Sequence, residues 1–370
     1  MIISRTPFRI SFFGGGTDYP VWYKENGGCV LSTTIDKYCY ITVRYLPPFF
    51  EHKHRIVYSK IEDVKHIHEI RHPVVRALLE FHKIDKGVEI HHDADLPARS
   101  GLGSSSSFTV GLLNSLYALS GAVTSKLQLA KDAIHIERDI LKENIGCQDQ
   151  VAVAFGGFNK ITFNKDDGFK VEPITLKRER LLQLQSHLML IFTGLSRLSS
   201  EVAKEQIKNT PNRGKELSAM QQMVDEAINI LALNRDILEF GELLHKAWEY
   251  KRSLSPNISH FTVDRIYEAA LEAGAIGGKL LGAGGGGFML LFVSPEKRNN
   301  VRRALKDFLE VGFSFESNGA QIIHYTSQET EYVPVEASDS LEPCSSQNIT
   351  EISSRFKKDL LVEGKVLSEA

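Results

Sequence analysis

Residues 95–108 read DLPARSGLGSSSSF and run straight into the helix-period segment VGLLNSLYAL, so a strand's polar exit meets a Gly-Ser loop that opens a helix. Gly101 and Gly103, flanking Leu102, let backbone N–H groups approach an anion closely, and Ser104, Ser105, Ser106 and Ser107 add hydroxyl donors. The positive end of the following helix aims at the same point. The chemistry this fits is the cradling of a phosphate; a serine-capped helix behind a flexible turn is the plainer alternative.

Two more glycine clusters strengthen the first reading. In PFRISFFGGGTDYP, residues 7–20, Gly14, Gly15 and Gly16 put bare backbone after a strand-like run, and Asp18 follows as a fixed carboxylate suited to a ligand with several hydroxyls. A Gly-rich turn closed by an Asx cap would use the same residues. Arg9 lies inside an otherwise apolar strand, where a guanidinium needs a buried anion or an exit to solvent. The third cluster, GGKLLGAGGGGFMLLF at 277–292, contains a literal G-x-G-x-x-G from Gly282 to Gly287. A helix is expected before it and an apolar strand after it, which is the wrong context for dinucleotide binding. The chain has no G-x-x-x-x-G-K-[ST] and no H-R-D or D-F-G segment, so its phosphate chemistry follows another template.

The elements that must hold these loops follow from periodicity. Strands are expected at 28–45, 55–59 and 87–92, with a helix at 73–82; further helices are expected at 104–119 and 126–141, the latter capped by Thr124 or Ser125. A hairpin over FGGFNKITF and FKVEPITL precedes a buried strand at 187–194. Helices then dominate 198–273, followed by the third glycine turn, the strand FMLLFVS, a basic helix at 296–310 and a closing strand near 320–325, an α+β unit. Beyond Thr326 the chain is acidic and Ser-rich, with one short helix expected at 355–362.

Bulk properties bound the function. The 370 residues are 42% hydrophobic, enough for two domains, and 44 basic against 46 acidic residues give a net charge of −2. No global field draws the chain to nucleic acid or an anionic membrane, so any basic site is local. No window reaches the length of a membrane span, the N-terminus lacks a cleavable-signal pattern, and Cys29, Cys39, Cys147 and Cys344 show no C-x-x-C spacing. A cytoplasmic protein is the expectation, either monomer or homodimer. Eight of 13 histidines fall between His52 and His92, but without acidic or cysteine partners at ligand spacing they are not read as a metal site.

In order and spacing, TPFRISFFGGGTDYP, LPARSGLGSSSSF and LLGAGGGGF resemble the three motifs of the GHMP superfamily, the relatives of galactokinase, homoserine kinase and mevalonate kinase, over residues 1–326. The resemblance implies an α+β, two-domain GHMP kinase fold. An ATP-binding N-terminal domain like the second domain of ribosomal protein S5 would cover 1–185 and a ferredoxin-like domain 186–326, with 327–370 as a tail and ATP and acceptor in the cleft. It further implies ATP phosphates on residues 101–107 and Mg2+ on Ser105 and Glu137. Asp149, in GCQDQ, would be the group that orients or deprotonates the attacking hydroxyl, and Arg9 its partner. Phosphoryl transfer needs those residue types for positioning and charge neutralisation. Taken alone, Glu137 also reads as a surface helix carboxylate and Asp149 as a helix cap.

On the acceptor side, galactokinases carry an acidic residue and a histidine where this chain has Gly15 and Gly16, which implies a different sugar. GGGTDYP, VLSTTIDKYCYITV and YKRSLSPNIS resemble the heptose 7-phosphate kinases of the superfamily. That resemblance implies transfer to the anomeric hydroxyl of D-glycero-D-manno-heptose 7-phosphate, giving the 1,7-bisphosphate for GDP-heptose and surface polysaccharide. The sugar would lie against Gly15, Gly16, Thr17, Asp18, Gly284 and Gly285. Its phosphate needs a second anion site, for which Arg197 with Lys251 or Arg252 are the first candidates and Lys37, Arg99 and Lys279 the others. A kinase for an unphosphorylated sugar such as fucose, and a non-catalytic ligand sensor, are the alternatives.

Overall fold

The computed structural model describes residues 1–194 and 199–327. Arg197, the acidic tail beyond Ser327 and the helix expected at 355–362 lie outside the described residues. The first half runs β1 (Ile2–Phe13), α1 (Pro20–Asn26), β2 (Gly28–Tyr45), β3 (His54–Val57), β4 (Ile61–Val64), α2 (Pro73–Phe81), β5 (Val88–Ala94), α3 (Ser104–Leu119), α4 (Lys126–Ile134), α5 (Gln148–Phe155), β6 (Phe158–Phe163) and β7 (Phe169–Pro173). The second runs α6 (Arg178–Ser186), β8 (Leu188–Phe192), α7 (Ser199–Asn209), α8 (Gly214–Ala232), α9 (Leu238–Ser253), α10 (Phe261–Glu272), β9 (Ala275–Leu280), β10 (Phe288–Val293), α11 (Arg298–Ala304), β11 (Leu309–Glu310), β12 (Phe315–Glu316) and β13 (Gln321–Tyr325).

Two sheets result. The larger is built on β2, whose 18 residues are long enough to carry β1 along one edge and β6, β12 and β5 in succession along the other. The smaller is antiparallel with the order β11-β8-β10-β9. Numbered along its own chain that order is 4-1-3-2, and with helices after its first and third strands it is the βαββαβ pattern of a ferredoxin-like unit. Alternation along β8 and β10 sends Leu190, Leu290 and Phe292 to one core and Met189, Ile191 and Leu291 to another, where Val263, Ile266 and Tyr267 of α10 cover them.

Four expectations change. The basic helix expected at 296–310 ends as α11 at Ala304, and Leu309–Glu310 form β11, which pairs with β8. The segment at 321–325 was assigned to the second unit, but β13 pairs antiparallel with β1 and covers an edge of the first sheet that would otherwise expose unpaired N–H and C=O groups. Residues 275–280, read as the end of a helix and a turn, form β9, because their backbone pairs with β10. The literal G-x-G-x-x-G is thus the tip of a β9-β10 hairpin with no helix after it. The helix expected over 126–141 is α-helical only to Ile134; His135–Ile140 widens into a π turn in which the Leu141 N–H reaches Ile136 O, five residues back.

Phe12, fully buried, joins the layers: its ring meets Phe158 at 5.8 Å and Phe240 at 5.6 Å, both edge-on, and Phe315 at 6.4 Å. Phe12→Ala is expected to cost about 3–5 kcal/mol, read from urea denaturation midpoints at unchanged slope.

Candidate active site

Arg9 is where the glycine loops meet. Alternation along β1 turns its side chain, 2% exposed, toward the start of α5. There Nε and Nη2 donate to the two oxygens of Asp149, both at 2.7 Å, and Nη1 donates to Gly101 O at 2.6 Å. The Arg9 backbone N–H reaches Leu102 O at 2.9 Å. One residue therefore ties the first sheet to the serine loop and to the α5 carboxylate. Gly103, at φ 76°, takes the left-handed turn that starts α3, and a Cβ there would lie 3.1 Å from Arg9 Cγ.

The four serines divide their work. Ser104 Oγ accepts the Arg99 N–H at 3.1 Å and closes the loop, while Ser107 Oγ donates to Pro7 O at 3.0 Å and to Gly103 O at 3.1 Å. Ser105 is exposed at the first turn of α3. Ser106, one position on, donates to Glu137 at 2.9 Å. Thr109, on the same helix face, donates to the other Glu137 oxygen at 2.6 Å, and Gln150 Nε2 completes the set. The π turn brings Glu137 inward to this cluster. It is 3% exposed and its partners are all neutral, so burial pushes its carboxyl up to about 7 despite the three hydrogen bonds. The buried carboxylate and the hydroxyls beside it are an oxygen-donor set that fits a hard divalent ion such as Mg2+.

Asp18 is 2% exposed, with Oδ1 accepting the Gly16 N–H at 2.9 Å and Oδ2 facing the Gln148 N–H at 3.4 Å. Burial, with the Asp149 charge adding to it, raises its pKa. It braces the turn into α5 and so fixes where Asp149 points. The Thr17 hydroxyl is wholly committed within the first glycine cluster, donating to Gly14 O at 2.8 Å and Cys29 O at 2.9 Å and accepting the Cys29 N–H at 3.1 Å. Gly15 has room above it, whereas Gly16 is packed against Gln206 and Leu217.

The third glycine cluster backs onto the second: a Cβ on Gly101 would sit 2.4 Å from Leu281 O, and one on Gly282 would sit 2.5 Å from Gly101 Cα. Gly284 and Gly285 rest on Ile258, the Gly285 N–H reaching its carbonyl at 2.9 Å. Beneath lie two buried lysines. Lys251 Nζ donates to Leu280 O at 3.0 Å and to Gly282 O, and burial reinforced by Arg9 pushes it down to about 7. Lys279 Nζ donates to Phe12 O at 2.8 Å and is held well below the usual lysine range by burial, then by Lys251 and Arg9. The adjacent Arg252 turns elsewhere, to Asp264 at 3.1 Å and over the Trp248 ring. Successive residues of a helix point about 100° apart, so Lys251 and Arg252 leave α9 on different sides.

The structure thus brings Arg9, residues 101–107, Glu137, Asp149, Asp18, Gly15 and Lys251 together. Sequence reading passed over Thr109 and Gln150 as partners of Glu137. Their signals were present in the i,i+3 relation of Thr109 to Ser106 and in Gln150 following Asp149. A groove of about 690 Å³ between α1 and α8, lined by Trp22, Asn26 and Lys215 among others, contains none of these groups.

Family models of the GHMP kinases match this chain, the N-terminal domain over residues 69–157 and the C-terminal over 226–311. The D-glycero-alpha-D-manno-heptose 7-phosphate kinase of Campylobacter jejuni is 31% identical over 86% of this chain and 98% of its own. The chain belongs to the GHMP kinase family. A D-glycero-D-manno-heptose 1-phosphate kinase structure from Bacteroides thetaiotaomicron superposes on this GHMP kinase with a TM-score of 0.72 at 26% identity, over 88% of this chain and 100% of the other. The bifunctional fucokinase/GDP-fucose pyrophosphorylase of Arabidopsis thaliana is 26% identical over 82% of this chain and 31% of that longer protein. The two-domain fold is that of the family. Among the described residues, no helix is long and apolar enough to cross a membrane.

Because the Glu137 carboxyl is raised to about 7 in the folded GHMP kinase, the folded chain holds that proton more tightly than the unfolded one. The associated stability is present at low pH and lost as pH rises to about 7. Metal-free Glu137→Gln should therefore melt with the parent near pH 4.5, progressively above it up to about pH 7, and at a constant offset beyond. Added magnesium should close the offset by raising only the parent, as read by calorimetry.

Proposed function

We propose that this GHMP kinase transfers the terminal phosphoryl group of ATP to the anomeric C1 hydroxyl of D-glycero-D-manno-heptose 7-phosphate, giving heptose 1,7-bisphosphate for GDP-heptose and surface polysaccharide synthesis. The observation that carries the reading is the charge balance around Asp149. Buried Arg9, Lys251 and Lys279 stand near Asp18 and Asp149 beside the serine loop, and burial disfavours the charge of both lysines. An anionic acceptor fits two such lysines, because a counter-charge offsets what burial takes from their charged form.

The chain's own residues then divide the reaction. N–H groups of the loop over residues 101–107 and the start of α3 hold the nucleotide phosphates. Glu137 with Ser106, in place of Ser105, would hold magnesium, which when bound supplies charge neutralisation between the phosphates. Asp149 accepts a hydrogen bond from the attacking hydroxyl and aims its oxygen, while Arg9 fixes the carboxylate from both sides. The acceptor phosphate goes to Lys279 and Lys251. Arg252, tied to Asp264, is left out of that site, and Thr17 and Asp18 shape the acceptor side by bracing it.

ADP release is measured over a panel of heptose 7-phosphate, L-fucose, galactose and mannose. Turnover is expected with heptose 7-phosphate, with the new phosphorus resonance coupled to the anomeric proton. Asp149→Asn should lower kcat about 10²–10⁴-fold with KM for ATP nearly unchanged. Lys279→Met should raise KM for the phosphosugar at least about tenfold, the scale of one lost charge-assisted contact. Preference for fucose over the phosphosugar moves the protein to the unphosphorylated-sugar kinases; ATP binding without any turnover makes it a sensor.

A further inference from the structure

Beside Asp149 the structure leaves buried polar atoms that the phosphoryl-transfer machinery does not use. Ser11 is 5% exposed and its hydroxyl has no hydrogen-bond partner among the described residues; the same holds for the Gln148 Oε1 atom. Both side chains converge on one spot. A Cβ placed on Gly15 would lie 3.8 Å from Ser11 Oγ and 3.8 Å from Gln148 Nε2.

Their directions follow from the elements. Arg9 and Ser11 are two apart on β1 in unbroken register, Arg9 opposite Thr34 and Ser11 opposite Ser32, so their side chains leave the same face. Arg9 reaches Asp149 on that face, and Ser11 stands one strand step further along. Directly across from it on β2, and on the same face, Ser32, 1% exposed, also has a hydroxyl without a partner among the described residues. Gln148 opens α5 and immediately precedes Asp149, while Asp18 braces its backbone. Leaving buried polar groups unsatisfied costs free energy unless something arrives to complete them.

We propose that Ser11 and Gln148, with the space above Gly15, form the subsite that recognises a neutral hydroxyl of the acceptor adjacent to the one phosphorylated. The inference rests on the reading of this site as a sugar kinase centre. The chemistry selects a hydroxyl over an anion. Serine and glutamine each present a donor and an acceptor without charge, matching a hydroxyl that does both. The cations needed for a phosphate stand on β9 and α9, as Lys279 and Lys251. Ser11 stands one strand step beyond Arg9 on the face where Arg9 grips Asp149, so a hydroxyl held there lies near the one that Asp149 engages. Ser11 and Gln148 are therefore specificity-determining residues, and the missing side chain at Gly15 is the room the sugar ring takes.

The test uses the full chain with ATP and magnesium, and D-glycero-D-manno-heptose 7-phosphate and L-fucose as probes. Ser11→Ala and Gln148→Leu should each raise KM for the accepted probe about threefold to tenfold, leaving kcat and KM for ATP within about twofold. Gly15→Ala, which meets nothing closer than 3.8 Å in the protein, keeps the fold and should raise the acceptor KM alone. Unchanged acceptor KM in folded Ser11→Ala and Gly15→Ala, or equal loss toward ATP, overturns the proposal. If the parent phosphorylates neither probe, the kinase reading of the substrate fails by itself. Saturation-transfer NMR of the same two sugars with nucleotide present then decides this inference: a signal lost in Ser11→Ala supports it, and a signal equal in both proteins or absent from both overturns it.

Discussion

The Arg9 guanidinium and the Asp149 carboxylate, joined by two hydrogen bonds of 2.7 Å, are the interaction around which the site is arranged. An arginine inside a buried strand is costly unless its donors are met. Here Asp149 meets two directions and the Gly101 carbonyl a third, so satisfying the charge also fixes the strand, the serine loop and α5 relative to one another. A carboxylate held at both oxygens cannot rotate freely, which is what a group that aims a hydroxyl at a phosphoryl centre requires.

The rest of the molecule supports that geometry. The three glycine clusters are one assembly: the hairpin tip at 281–287 lies against the serine loop at van der Waals distance, and the first cluster sends Asp18 under the start of α5. Such close backbone contact leaves no space for side chains between the loops, and a polar side chain at their edge can tie one loop's backbone in place. Lys251 does this for the hairpin by donating to Leu280 and Gly282. Burial weakens its hold on the proton, as it does for Lys279.

Much of this was legible in the chain. The serine loop and the buried Arg9 follow from residue types whose placement is costly without a partner, whereas Glu137, Asp149 and the ferredoxin-like form of the second unit came from the resemblance to the GHMP kinases, since alone they read as a surface carboxylate, a helix cap and an α+β unit. Other parts were not. Thr109 and Gln150 are ordinary polar residues in apolar or mixed helices, and only the packing of α3 on α5 and the π turn at 135–140 makes them partners of Glu137. Likewise β13 reads as any short strand, and its place beside β1 is set by which sheet edge is open when the chain returns.

The sequence by itself determined the inventory: which loops could approach a phosphate, which carboxylates and cations were available, and which helices and strands would carry them. Those are local properties, set by glycine backbone freedom, periodicity and charge. The tertiary structure alone decided the pairings. It put Ser106, not the exposed Ser105, against Glu137, sent Lys251 inward and Arg252 outward, and left Ser11 and Gln148 facing Gly15 with hydrogen-bonding capacity unused among the described residues. Neighbours in sequence were separated because adjacent helix residues point in different directions. Residues a hundred positions apart were joined because a buried charge must find its counter-charge wherever the packing brings one within reach.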